Sequence, residues 1–222
     1  MAWSSILKRL LPVFVFAILA VSSVESYTCV VSACNEETCP GPTTSCTATK
    51  GCFSRMMKSE TPSTLSDLML NQKGCTSDAD TCSNLEFSAT LGDQRTFRYK
   101  NRCCTTGQCN KENITVPSPS SEPNGVRCAA CYSEKGKSCK VNATIVCTGN
   151  EKKCVEVTGT AVATSTFLLY GKGCATENAC DMNTTVFDGI NIHAKCIPPD
   201  GSPALKSISS LPVVLLLLKV LL

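Results

Sequence analysis

Apolar and polar positions along this 222-residue chain alternate over short stretches and never hold helical spacing for long. From Glu86 to Arg102 the alternation runs either side of Gly92-Asp93, a turn dipeptide, which predicts a hairpin with Cys82 and Cys103 at its base. On the return arm Arg98, Lys100 and Arg102 fall on one face, with Phe97 and Tyr99 on the other. A comparable pair of arms between Lys153 and Gly173 sets Val155 and Val157 against Phe167 and Leu169 across a threonine-rich turn. Short strands and loops are therefore expected throughout, with at most one short helical turn at Leu65 to Leu70.

Two apolar runs stand apart from this pattern. Leu10 to Val21 follows Lys8 and Arg9 and precedes small residues at Val24 and Ser26, so residues 1–26 read as a signal peptide cleaved before Tyr27. Its twelve residues fall short of the roughly 20 that span a bilayer. Leu211 to Leu222 is also short and is broken by Pro212 and Lys219. It lies behind the small triplet Asp200-Gly201-Ser202 and a polar spacer, Pro203 to Ser210. That order is the signal for a glycosylphosphatidylinositol (GPI) anchor, so residues 199–222 read as an anchor signal with Asp200 the first choice of attachment residue, then Gly201 or Ser202. The competing reading is a secreted protein with an apolar tail.

Cysteine usage follows from that compartment. Ten of the eighteen cysteines fall between Tyr27 and Asn110 and eight between Cys128 and Cys196, an even number in each block. In an oxidising compartment such blocks read as disulfide frameworks, whose connectivity the spacing alone leaves open. Between them Lys111 to Gly125, KENITVPSPSSEPNG, reads as an extended linker. Two modules result, 27–110 and 126–198, each too small to be stable on apolar burial alone. Each disulfide adds about 2–4 kcal/mol by restricting the unfolded chain.

The formal charge of +3 vanishes once the leader and tail are removed, leaving 17 basic and 17 acidic residues. Net charge gives no pull toward nucleic acid, acidic substrates or a lipid surface. Three sequons, at Asn113, Asn142 and Asn183, fit passage through the secretory pathway. Catalytic chemistry has little to work with. His193 is the sole histidine and lies beside no recognisable nucleophile or base, where a solvated or stem-packing role is the simpler reading. Cys128-Ala129-Ala130-Cys131 has the spacing of a zinc or redox site, but six further cysteines in its module favour structural disulfides. No cofactor is implied.

Binding is the remaining role. Arg95, Arg98, Lys100 and Arg102 form a local basic stripe that could meet an acidic protein or sulphated glycan, or could be a solvated strand face that discourages edge pairing. Phe167, Leu168, Leu169 and Tyr170 form an apolar run, read either as packing between modules or as a protein-binding anchor.

The cysteine order of the first block and its ending, Cys103-Cys104-Thr105-Thr106-Gly107-Gln108-Cys109-Asn110, resemble the lymphocyte antigen 6 and urokinase receptor superfamily. The resemblance implies an all-β, disulfide-rich protein of two tandem three-finger (snake-toxin-like) domains. It also implies the pairs Cys29 with Cys52, Cys34 with Cys39, Cys46 with Cys75, Cys82 with Cys103 and Cys104 with Cys109. Asn110 would tie the last segment to the first strand. By analogy the second module pairs Cys128 with Cys154, Cys131 with Cys139, Cys147 with Cys174 and Cys180 with Cys196. It has no closing CCxxxxCN, and Pro198-Pro199 follows instead. Its opening, with Pro123-Asn124-Gly125 before Cys128-Ala129-Ala130-Cys131, is most similar to the second domain of gamma-type phospholipase A2 inhibitors.

The expectation is a non-enzymatic, GPI-anchored surface glycoprotein whose finger loops engage an extracellular or cell-surface protein, with contact to the membrane through the lipid alone. The alternative is an inhibitor of a secreted phospholipase A2.

Overall fold

The structure, a computed structural model, describes residues 26–60, 68–77, 82–134, 136–141, 143–186 and 189–199. Residues 1–25 of the expected signal peptide, the sequon residue Asn142 and the attachment candidates Asp200, Gly201 and Ser202 lie outside the described residues. Twelve strands make up nearly all of the regular structure, and the only helical segments described are two single 3-10 turns, Gly92–Gln94 and Glu177–Ala179. Of the short turn expected at Leu65 to Leu70, residues 65–67 lie outside the described residues, and the remainder is corrected. Leu68, Met69 and Leu70 are not helical but open a strand that pairs with Met57, Lys58 and Ser59, because ladder hydrogen bonds to a neighbouring strand satisfy more backbone groups than one isolated helical turn can.

The chain packs as two compact units. The first holds the described residues of Met1–Glu60, Leu65–Glu86 and Arg98–Pro117. Its strands are β1 (Tyr27–Cys34), β2 (Thr44–Ala48), β3 (Cys52–Glu60), β4 (Leu68–Cys75) and most of β6 (Thr96–Cys104), in the order β6-β3-β4-β1-β2. β1 with β2 and β3 with β4 form antiparallel fingers. A third finger is the hairpin of β5 (Leu85–Leu91) and β6, turned at Gly92–Gln94 where Asp93 and Gln94 both take positive φ.

The second unit holds Phe87–Phe97 and the described residues from Ser118 onward, so it includes the tip of that third finger. Its own strands are β7 (Pro123–Glu134), β8 (Ala143–Thr148), β9 (Lys153–Ala161), β10 (Phe167–Ala175), β11 (Met182–Val186) and β12 (Ile190–Ile197). They lie in the order β8-β7-β10-β9-β12-β11, and β10 also pairs through Gly173–Ala175 with Ala89–Leu91 of β5. Val155 and Val157 are buried on β9, but their expected pairing with Phe167 and Leu169 is corrected. The two valines lie opposite Gly173 and Gly171, while Phe167 and Leu169 lie opposite Thr160 and Gly159, because the turn lies further along the chain than alternation suggested.

Sulfur fills the centre of each unit. Cys29, Cys52 and Ala48 are buried together, with Cys46, Cys75, Cys104 and Cys109 packed against them. In the second unit Cys128, Cys147, Cys154 and Cys174 play the same part, with Val126, Ile145 and Ile197 around them. Nine disulfides are present: Cys29–Cys52, Cys34–Cys39, Cys46–Cys75, Cys82–Cys103, Cys104–Cys109, Cys128–Cys154, Cys131–Cys139, Cys147–Cys174 and Cys180–Cys196. No cysteine is free.

Asn110 closes the first unit and is only 3% exposed. Its Oδ1 accepts from the Val30 amide at 2.9 Å, and its Nδ2 donates to the carbonyls of Val30 at 2.8 Å and Phe53 at 3.0 Å. One side-chain amide thus completes β1 and reaches β3. The second unit has no such asparagine at its end and uses one at its beginning. Asn124 Nδ2 donates to the carbonyls of Gly149 and Glu151, both at 3.0 Å, while its Oδ1 accepts from the Val126 amide at 3.1 Å.

Backbone approach is close where β5 meets β10. A Cβ on Gly173 would lie 2.0 Å from the Thr90 carbonyl oxygen and 2.7 Å from Leu91 Cα. Gly173→Ala is therefore expected to cost about 1–3 kcal/mol, because backbone rather than a movable side chain must yield. Thermal unfolding of the oxidised full chain measures this. Asn110→Ala is expected to cost about 2–4 kcal/mol through its lost hydrogen bonds and the carbonyls it leaves buried. Asn110→Asp should be worse than alanine, since it sets a carboxylate against the carbonyl oxygens of Val30 and Phe53. Denaturant titration of both variants with disulfides intact ranks them.

Candidate interaction surface

The third finger presents its basic residues very unequally. Arg98 is 5% exposed, donating from one guanidinium nitrogen to the Pro117 carbonyl at 3.0 Å and from the other to Glu60. Lys58 reaches the other oxygen of Glu60 at 2.7 Å. Lys100 pairs with Glu86 at 3.0 Å. Arg102 is exposed and lines an open cleft of about 460 Å³ with Lys100, Asn84, Glu112 and Asn113. Tyr99 is buried and Phe97 partly so, which leaves both faces of the arm covered around positions 98 and 99. Arg95 belongs to the second unit, where it stacks 4.1 Å from the Tyr132 ring centroid and pairs with Glu134 at 3.2 Å. The four cations do not form one accessible stripe: three are matched by carboxylates, and Arg102 alone is exposed.

Tyr170, in the apolar run, is 8% exposed. Burial and its hydrogen bond to Glu156 both raise its phenol above the ordinary value. Leu169 packs over Gly159, where an added Cβ would meet its Cγ at 2.7 Å. Leu168 is half-buried, and the side chain of Phe167 lies outside the description. Tyr170 and Leu169 thus serve the packing of their own unit.

Exposed aliphatic side chains occur elsewhere. Leu68, the first residue of β4, is 54% exposed, and Val162, in the turn between β9 and β10, is 56% exposed. Val141 and Val146 are exposed at and beside β8. The sequence does not single them out, because Leu68 and Val146 lie in short apolar runs and Val141 and Val162 are isolated among polar or small residues. Only the location of strand ends shows which of them reach solvent.

Lys73 was also missed. Its ammonium, on a residue 7% exposed, donates to the Lys111 carbonyl and to Asn113 Oδ1, each at 2.7 Å. Burial lowers its pKa, and the charge of Glu112 only partly opposes this. The sequon residue Asn113 is therefore exposed but held by its oxygen, with its nitrogen the atom a glycan would take. Asn183 is exposed on β11, opposite His193. His193 is exposed, and its carbonyl accepts from the Thr158 hydroxyl at 3.4 Å.

Two groups of three cysteines, Cys29 with Cys46 and Cys75 and Cys128 with Cys147 and Cys174, bring their sulfurs within 4.8 Å of one another. Every one of these sulfurs is in a disulfide, so none is a thiolate ligand as it stands. Cys128 and Cys131 likewise bond to different partners, Cys154 and Cys139, and not to each other.

No family model matches the chain. Among curated proteins it is similar to Protein RoBo-1 of Rattus norvegicus, 40% identical over 213 residues, covering 95% of this chain and 86% of that protein. It is also similar to Ly6/PLAUR domain-containing protein 8 of Bos taurus, 27% identical over 180 residues and covering 76% and 73% of the two chains. The chain belongs to the lymphocyte antigen 6 and urokinase receptor superfamily. The family resemblance of the cysteine order is thereby borne out, as is the all-β, disulfide-rich fold class. A further member of the superfamily, the phospholipase A2 inhibitor 25 kDa subunit of Naja kaouthia, is 33% identical over 138 residues, covering 58% of this chain and 72% of that one. At the level of the superfamily the role is extracellular binding.

The Glu60 cluster generates a pH prediction. Burial by itself would raise this carboxyl, but the hydrogen bond from Lys58 and the charge of Arg98 outweigh it and hold the pKa below the ordinary value of 4.5. A depressed carboxyl stabilises the folded state fully above pH 4.5 and loses that contribution as pH falls through the lower folded value. Glu60→Gln is expected to shallow the acid limb of the stability profile, read from denaturant midpoints between neutral pH and about pH 2.

Proposed function

We propose that this protein is a non-enzymatic, N-glycosylated, GPI-anchored cell-surface protein that binds extracellular or cell-surface protein partners through its finger loops. Its two modules, 27–110 and 126–198, are joined by 111–125. The observation that carries the reading is the exposed aliphatic residue at the loop end of the second finger in each unit, Leu68 in one and Val162 in the other, on frames braced by disulfides. An exposed apolar side chain held on a rigid frame is the kind of anchor that binding energy concentrates on. No described helix is long and apolar enough to cross a membrane. The order of small triplet, spacer and apolar tail from Asp200 onward supports attachment by lipid. The all-disulfide cysteines and the exposed His193 support a binding rather than a catalytic role.

The alternative, inhibition of a secreted phospholipase A2, is favoured by the similarity to the Naja kaouthia inhibitor subunit. One experiment separates the two. The chain, tagged after Ser26 and expressed in animal cells, is expected at the surface and to be released into the medium by phosphatidylinositol-specific phospholipase C. Spontaneous secretion without the enzyme would overturn the anchor and favour the inhibitor reading.

A further inference from the structure

The sheet of the second unit ends in two strands with open sides. Among the described residues β11 pairs only with β12, and β8 only with β7. An open strand side offers unpaired amides and carbonyls to any other strand, and proteins commonly block it with charge, proline or a bulge. β11 has none of these. Its sequence, Met182-Asn183-Thr184-Thr185-Val186, is uncharged, lacks proline and is rich in β-branched residues, and its register with β12 is unbroken. β8, Ala143-Thr144-Ile145-Val146-Cys147-Thr148, is likewise uncharged and free of proline, with Val146 exposed, but its register with β7 shifts between Pro123 and Arg127. Segments of this composition are those most prone to strand addition. The first unit differs, since its end strand β2 is preceded by Pro40 and Pro42.

Both open strands of the second unit contain part of a sequon. Asn183-Thr184-Thr185 lies wholly within β11, with Asn183 and Thr185 exposed on one face. In Asn142-Ala143-Thr144, Ala143 and Thr144 are the first two residues of β8. We propose that a glycan on Asn183 caps the open side of β11 and keeps the protein from associating strand to strand with a second copy. A branched, hydrated glycan rooted mid-strand excludes a neighbouring backbone that must approach to about 4.8 Å. The proposal rests on the secretory reading above, but on neither the anchor nor the partner.

Thr185 allows a test that separates capping from folding. Thr185→Val and Thr185→Lys both destroy the sequon, and only the lysine restores a block to the strand side. The secreted ectodomain, ending before Asp200, is purified as wild type, Asn183→Gln, Thr185→Val and Thr185→Lys, and sedimentation velocity is followed over a concentration series. Wild type and Thr185→Lys are expected to stay monomeric, while Asn183→Gln and Thr185→Val shift to dimers and larger species as concentration rises. Monomeric Asn183→Gln and Thr185→Val would overturn the proposal, as would association of Thr185→Lys to the same extent as Thr185→Val. Glycopeptide mass analysis of the wild type supplies the remaining check. An unmodified Asn183 in the secreted protein overturns capping alone, whereas failure of the ectodomain to reach the medium overturns the secretory reading with it.

Discussion

Disulfide cross-bracing is the constraint on which everything else in this protein depends. A module of this size leaves too little apolar surface to bury for the core to hold it by itself. Here each unit has a buried cluster of cysteine sulfurs, with Cys128 and Cys147 sulfurs 3.3 Å apart although each bonds to a different partner. Sulfur is thus both cross-link and filling. The strands add only a thin apolar layer to this, Met56 and Met57 in the first unit and Val155 and Ile192 in the second, and elsewhere can be polar and threonine-rich.

A cross-link fixes distances between strands but does not satisfy their hydrogen bonds. The backbone ladders do most of that, and asparagines at opposite ends of the two modules complete them. Asn110 reaches back from the end of the first to the backbones of β1 and β3, and Asn124 reaches forward from the start of the second to the segment linking β8 and β9. Asparagine suits both places because one planar amide offers donor and acceptor together, matching the amide and carbonyl of a strand side. The missing closing motif of the second module is answered by its opening, which had looked like the end of a linker.

The third finger shows how packing revises a surface read from alternation. Arg98 belongs to a polar face by its position, yet it lies buried between Glu60 and the Pro117 carbonyl. A guanidinium with a carboxylate and a carbonyl partner can be enclosed where an unpaired one could not. Ion pairing therefore consumes most of the charge of the basic arm and leaves Arg102 as its one exposed cation.

The sequence by itself determined the class of protein. The even cysteine blocks, the CCxxxxCN ending and the alternation around Gly92-Asp93 prescribe small oxidised β modules, because cysteine chemistry and strand periodicity are local and need no knowledge of neighbours. The surface was decided only in three dimensions. Glu60 lies 38 positions before Arg98, and Lys73 lies 40 before Asn113, so no local pattern could couple them. Gly173 and Thr90 meet because β10 pairs with β5 inside the second unit, although the two strands are far apart along the chain. Burial, ion pairing and open strand sides are properties of such long-range meetings, which is why the fold class was legible along the chain and the interaction surface was not.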